Sequence, residues 1–207
     1  LDALALLFAE LFAALHQHDY KLLVPRMAEP STYALINREI HTMRGLIRDY
    51  GQAELTPLLD WLYAQRVTVT APQISVTHRD FHPSNVLITA DGLPYVVDWG
   101  WQISDARFDV AWTLAQLERE GHGAFAAQVL REYERLRGDD VPHLAYFTLL
   151  AETRWLISVL ARARYGFETA EGREAYIESM RAPIRDAVQR IEQATGLTLS
   201  LADASFK

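Results

Sequence analysis

From the amino terminus, Leu4, Leu7, Phe8, Leu11, Phe12 and Leu15 recur at helical spacing, which predicts an amphipathic helix over residues 2 to about 18. A loop from Val24 to Ser31 carries Pro25 and Pro30. A second helical pattern then runs through Tyr33, Ile36, Ile40, Met43 and Ile47, with Gly51 as its stop, and a third covers about Glu54 to Gln65. The texture changes at Val67. Residues Val67 to Thr70 and Ile74 to Thr77 alternate apolar and polar, as half-buried strands do. Asn85 to Thr89 and Pro94 to Asp98 flank Ala90-Asp91-Gly92, a turn in which the glycine can take positive φ, so a β hairpin is predicted there. Beyond Trp101 the helical period returns, with segments at about 105 to 119, 123 to 137, 142 to 164 and 171 to 195, and Pro183 is a place for a kink in the last. The fold class that follows is α+β and mostly α-helical. Helices surround a β island between Val67 and Asp98.

Composition narrows the class. At 207 residues, half hydrophobic and 23% charged, the chain suits one globular folding unit. The apolar run Leu4 to Leu15 is interrupted by Glu10 and falls short of the roughly 20 residues that span a bilayer, so no membrane segment is expected. Cysteine is absent; this removes disulfides and thiolate metal sites and agrees with a cytoplasmic location. A net charge of -7 opposes the clustered cations that nucleic acid requires and suits a cationic small molecule better.

Chemistry concentrates in the island. His78-Arg79-Asp80-Phe81-His82-Pro83-Ser84-Asn85 is followed, past the hairpin, by Asp98-Trp99-Gly100. Phosphoryl transfer asks a protein to orient the attacking hydroxyl and to hold Mg²⁺ against phosphates, and a carboxylate with hard oxygen ligands suits both tasks. An imidazole such as His78 can fix a turn by bonding backbone, while His82 could face either the reacting groups or the helical core. Arg79 reads equally as a partner for an anion and as a surface residue. Trp99 and Trp101 could wall a ligand pocket or pack a hairpin into the core.

The pattern H-R-D-x-x-x-x-N, a short hairpin and then D-x-G resembles the catalytic and metal-binding loops of protein kinases. Its variant His-x-Asp-x-His-Pro-x-Asn, with Asp-Trp after the hairpin, is more similar to the aminoglycoside phosphotransferase family. The opening helix, ending Leu15-His16-Gln17-His18-Asp19, also resembles the helix that follows the hinge between the lobes of such enzymes. The resemblance covers most of the chain and is most specific over residues 78 to 109. It implies a protein-kinase-like carboxyl-terminal lobe, with Asp80 as catalytic base or orienting residue and Asn85 and Asp98 as Mg²⁺ ligands. ATP would be the donor and a small-molecule hydroxyl the acceptor. His78 and His82 would support the loop. Asp109 resembles the aspartate that braces the loop through backbone amides, although a carboxylate in a helix's first turn is also favoured by the dipole alone. Glu152 and Arg154 fall where the family lines its acceptor pocket, and a solvated helix face accounts for them as well. No A-P-E segment follows Asp98, which favours a small molecule over a protein as acceptor.

A complete kinase-like enzyme also needs a glycine-rich phosphate loop and a strand-borne lysine. The ten glycines never form G-x-G-x-x-G, and the twenty basic residues include only Lys21 and Lys207 as lysines. The chain also begins with Leu1. The expectation is therefore a lobe whose amino-terminal partner lobe lies upstream, and slow ATP turnover in isolation. Two rival readings remain. His78-x-Asp80-x-His82 on a strand could hold a metal in a hydrolase, though further ligands are wanting and Pro83 would end such a strand. A pseudokinase-like lobe could bind a ligand or partner without transferring phosphate.

Overall fold

The structure, a computed structural model, describes residues 2–31, 33–70 and 72–201. These fall into two compact units, one drawn from the described residues up to 35 and from 70 to 148, and the other from those between 36 and 69 and from 149 to 201.

The first unit carries the island. Helix α1 (Asp2–Gln17) presents Ala5, Phe8, Ala9, Phe12 and Ala13 to a core shared with α4 (Ala106–Arg119) and α5 (Gly123–Arg137). Phe81 enters that core from the loop. Its ring stacks on Phe12 at 4.5 Å and 3° and lies 4.5 Å from Phe8. Burying such a ring is worth about 1.5–3 kcal/mol, which anchors the residue next to Asp80. Strand β1 (Ile74–Thr77) pairs antiparallel with β4 (Gln102–Asp105), in the register Ile74 to Asp105 through Thr77 to Gln102. Between them the hairpin β2 (Val86–Ile88) and β3 (Pro94–Val96) forms as predicted, closed by Thr89 and Gly92.

Two expectations change here. Val67 to Thr70 is not a strand: Arg66–Thr68 is a 3-10 turn that continues helix α3 (Thr56–Gln65), with Thr68 Oγ1 donating to Gln65 O. The alternation records one buried residue, Val69, beside the exposed Val67. Strand β4, by contrast, lies where the sequence showed no separate strand before the helix at 105. Its partner is nearly thirty residues earlier, and short strands draw their stability from such non-local pairing.

The second unit holds most of α2 (Ala34–Asp49), α3, the larger part of α6 (Leu144–Tyr165) and α7 (Ala170–Thr195). Gly51 sits at φ +62° just past α2, as a helix stop requires, and Arg164 donates to the carbonyls of Tyr50 and Gly51 there. Gln52 Nε2 donates to Ile157 O. Pro183 lies inside α7. By length and composition α6 could cross a membrane, but 61% of its apolar window is buried inside the protein, as in the core helix of a folded domain.

Candidate active site

The loop from His78 to Asn85 leaves β1 and reaches the hairpin through a 3-10 turn, Pro83–Asn85. Three successive choices of side-chain direction shape it. His78 is fully buried, and its Nε2 meets Val97 O at 3.0 Å. Asp80 is turned outward with its side chain 47% exposed. Phe81 turns back into the core, and Thr113 Oγ1 donates to its carbonyl at 2.8 Å. Arg79 makes the reversal possible by adopting φ +79°, a conformation costing an L-residue roughly 1–2 kcal/mol and one that concentrates at functional sites.

Asp109 sustains that geometry. Fully buried in the first turn of α4, it accepts from the backbone amides of His78 (2.7 Å) and Arg79 (2.8 Å) and faces His16 Nε2 at 3.3 Å. Burial pushes the Asp109 carboxyl up, but the His16 contact and the two amides outweigh it and hold the carboxyl below its ordinary value. His16 in turn lies 2.7 Å from the Tyr133 hydroxyl through Nδ1. Beside this brace, Asp105 caps α4 and forms a two-pronged, fully buried pair with Arg107, at 2.8 and 2.7 Å.

The Asp80 carboxylate is itself held. Trp112 Nε1 donates to Oδ1 at 3.1 Å, while His82 Nε2 stands 3.6 Å from Oδ2. One oxygen is thus committed to a neutral donor and the other faces an imidazole and open space. Asn85, only 7% exposed, donates through Nδ2 to Asp80 O at 3.0 Å, and its backbone carbonyl accepts from Val97 N. With Nδ2 committed, Oδ1 is the atom of this amide left for a ligand. Asp98 follows the hairpin at φ +59° and is exposed. A largely buried amide oxygen and an exposed carboxylate suit a hard cation that completes its shell with phosphate and water.

The structure therefore gathers His78, Asp80, His82, Asn85 and Asp109 into one hydrogen-bonded loop, with Asp98 at the end of the hairpin it supports. Glu152 and Arg154 belong to the second unit. There Glu152 is 2% exposed and paired at 2.9 Å with the half-exposed Arg190, so a buried carboxylate in a partly buried ion pair replaces the solvated helix face at that residue. Trp99 and Trp101 are about half exposed rather than core, and Trp99 Nε1 donates to Val96 O. Arg79 lays its guanidinium 4.9 Å over the Phe108 ring. Lys207 lies outside the described residues. Among those residues no three His, Cys, Asp or Glu side chains gather as a metal site; His78 Nε2 is occupied by a carbonyl, and the turn at Arg79 breaks the alternation on which the hydrolase reading rested. Trp112 and His16 are the residues that sequence reasoning missed. Trp112 lies one helical turn beyond Asp109, a spacing that puts both on the loop-facing side of α4; His16 carried no comparable signal.

No curated protein matches the chain. Among solved structures it resembles a provisionally named aminoglycoside phosphotransferase of Ralstonia eutropha JMP134, at 15% identity and a TM-score of 0.67, covering 90% of this chain and 64% of that one. It also resembles Plasmodium vivax ethanolamine kinase, at 14% identity and a TM-score of 0.56, covering 95% and 60%. Such identities speak for fold alone, and the chain spans less than two thirds of either protein's length. The fold is a mostly helical, kinase-like lobe with a few short antiparallel strands. Because the match to the phosphotransferase enzyme family runs over residues 1–146, taking in the loop, the hairpin and the Asp109 brace, the chain belongs to that family.

Proposed function

We propose that this chain is the catalytic, acceptor-binding lobe of an ATP-dependent phosphotransferase that phosphorylates the hydroxyl of a small molecule. The observation that carries the reading is the state of Asp80, a half-exposed carboxylate with Oδ1 held by Trp112 and Oδ2 facing only the His82 imidazole at 3.6 Å, on a loop pinned by Asp109. Asp80 Oδ2 receives a hydrogen bond from the acceptor hydroxyl, orients it for in-line attack and takes its proton late in a loose transition state. Asn85 Oδ1 and the Asp98 carboxylate are the groups that would hold Mg²⁺, which when bound would neutralise the charge of the nucleotide phosphates. Much of the rate then comes from positioning. The phosphate-gripping glycine loop and strand lysine come from a nucleotide-binding lobe outside this sequence.

A net charge of -7 and the amino-bearing acceptors in the names of the two structural relatives point the search towards cationic alcohols. The test is ADP release across a panel of amino alcohols, aminoglycosides and uncharged sugars, with the nucleotide-binding lobe joined to the chain. Asp80→Ala is expected to lower turnover by about 10²–10⁴-fold while leaving Mg-ATP affinity nearly unchanged. Turnover unaffected by that substitution would remove Asp80 from its role and shift the reading to a ligand-binding lobe without transfer.

A further inference from the structure

The first unit contains a cavity of about 310 Å³ lined by His16 and Gln17 of α1, Gln73 just ahead of β1, Ser75 of β1, Ala106 of α4 and Arg137 of α5. Its size lies at the lower end of small-ligand sites. Two of its polar groups are incompletely used. The buried Oε1 of Gln73 has no hydrogen-bond partner among the described residues. Arg137 donates to the Tyr133 hydroxyl at 3.1 Å and forms no ion pair with a described carboxylate. A buried acceptor without a donor is costly, and native proteins seldom leave one so.

The surrounding charges set the sign of a ligand. Asp105 is matched by Arg107, and Asp109 by His16 and two backbone amides. Ser75 Oγ already donates to His16 O at 2.9 Å. The Arg137 guanidinium is thus the formal charge left facing the cavity, and a planar fork of this kind matches carboxylate or phosphate oxygens. We infer that the cavity is a binding site for a small anion, a carboxylate or phosphate held by Arg137, with a hydroxyl or amine on the same molecule donating to Gln73 Oε1.

The site connects to the loop. Arg137 bonds Tyr133, Tyr133 faces His16 Nδ1, His16 Nε2 faces Asp109, and Asp109 holds the amides of His78 and Arg79. An occupant that draws Arg137 away from the phenol alters the first link of a chain ending one residue from Asp80.

The test requires neither nucleotide nor turnover, so its failure is separate from that of the proposed activity. The full chain, free of Mg²⁺, is titrated with inorganic phosphate and separately with malonate, and the side-chain amide of Gln73 and the guanidinium of Arg137 are followed by ¹⁵N NMR, with chloride as the control for ionic strength. Saturable shifts are expected at dissociation constants on the order of millimolar, weakened at least about tenfold in Arg137→Gln and less in Arg137→Lys, which keeps the charge. Whichever titrant saturates at lower concentration identifies the anion class. Linear shifts matching chloride, or saturation that survives in Arg137→Gln, would overturn the site. Backbone amides of His78 and Arg79 are expected to move with the same midpoint; if they stay still while Gln73 and Arg137 saturate, the connection to the loop is lost.

Discussion

At the scale of single residues, the loop depends on one carboxylate that never reaches its surface. Asp109 accepts two backbone amides and faces His16, all away from solvent. Removing one partner of such a buried arrangement leaves the others without solvent or replacement, so Asp109→Ala is expected to cost about 3–5 kcal/mol in urea unfolding. The sign of the pH dependence follows from the same contacts. Because the folded protein holds this carboxyl below its ordinary value of 3.8, folding favours its ionised form. The resulting stability is fully present above about pH 4 and disappears as the pH falls through the lower folded value. Asp109→Asn is expected to flatten that acid limb in urea midpoints measured between about pH 5 and 2; an unchanged limb would show that other carboxylates dominate it. At this scale the sequence was informative about Asp80, Asn85 and Asp98 because their spacing survives in any window of the chain. It was silent on Trp112 and His16, whose roles exist only once α4 and α1 meet the loop.

At the scale of elements, helix ends and the local hairpin were legible and long-range strand pairing was not. The stop at Gly51 could be read from one residue, since a left-handed C-terminal cap is a local demand. A side chain there would sit at φ +62° with its Cβ 3.2 Å from Arg164 Nη1, the group that caps the Tyr50 and Gly51 carbonyls. Gly51→Ala is therefore expected to destabilise the second unit by about 1–2 kcal/mol, measured by urea or thermal unfolding. An effect near zero would mean that the backbone relaxes at no cost. Strand β4 and the false strand at Val67 show the opposite case. Both segments are four residues or so of mixed polarity, and what separates them is a partner: β1 lies beside Gln102–Asp105, whereas Arg66–Thr68 continues α3.

At the scale of the whole molecule, the chain carries a complete loop, hairpin and brace but no motif that grips nucleotide phosphates. Preorganised donors of that kind are commonly worth about 10²–10³-fold in rate. The 207-residue chain alone is accordingly expected to release ADP at less than about a hundredth of the rate reached with a nucleotide-binding lobe joined ahead of it. Comparable rates in a coupled ADP assay would show that its own residues suffice. The two compact units also divide the candidate residues: the loop and its brace lie in the first, while Glu152, buried against Arg190, lies in the second. Glu152 therefore has a structural occupation that its place on a long helix did not disclose.

By itself, the amino-acid sequence determined the helical periods, the hairpin turn, the order His78-Arg79-Asp80 to Asn85 and Asp98, and with them the family, because each of these depends on neighbours within a few residues or on a fixed spacing. Only the tertiary structure decided that β1 pairs with β4, that Trp112 restrains one oxygen of Asp80, that His16 and two amides converge on Asp109, and that Arg137 and Gln73 share a cavity. The physical reason is common to all four. Each is a contact between segments from about thirty to about ninety residues apart, made where apolar burial brings backbones together, and a linear pattern does not record which distant group will occupy the space beside it.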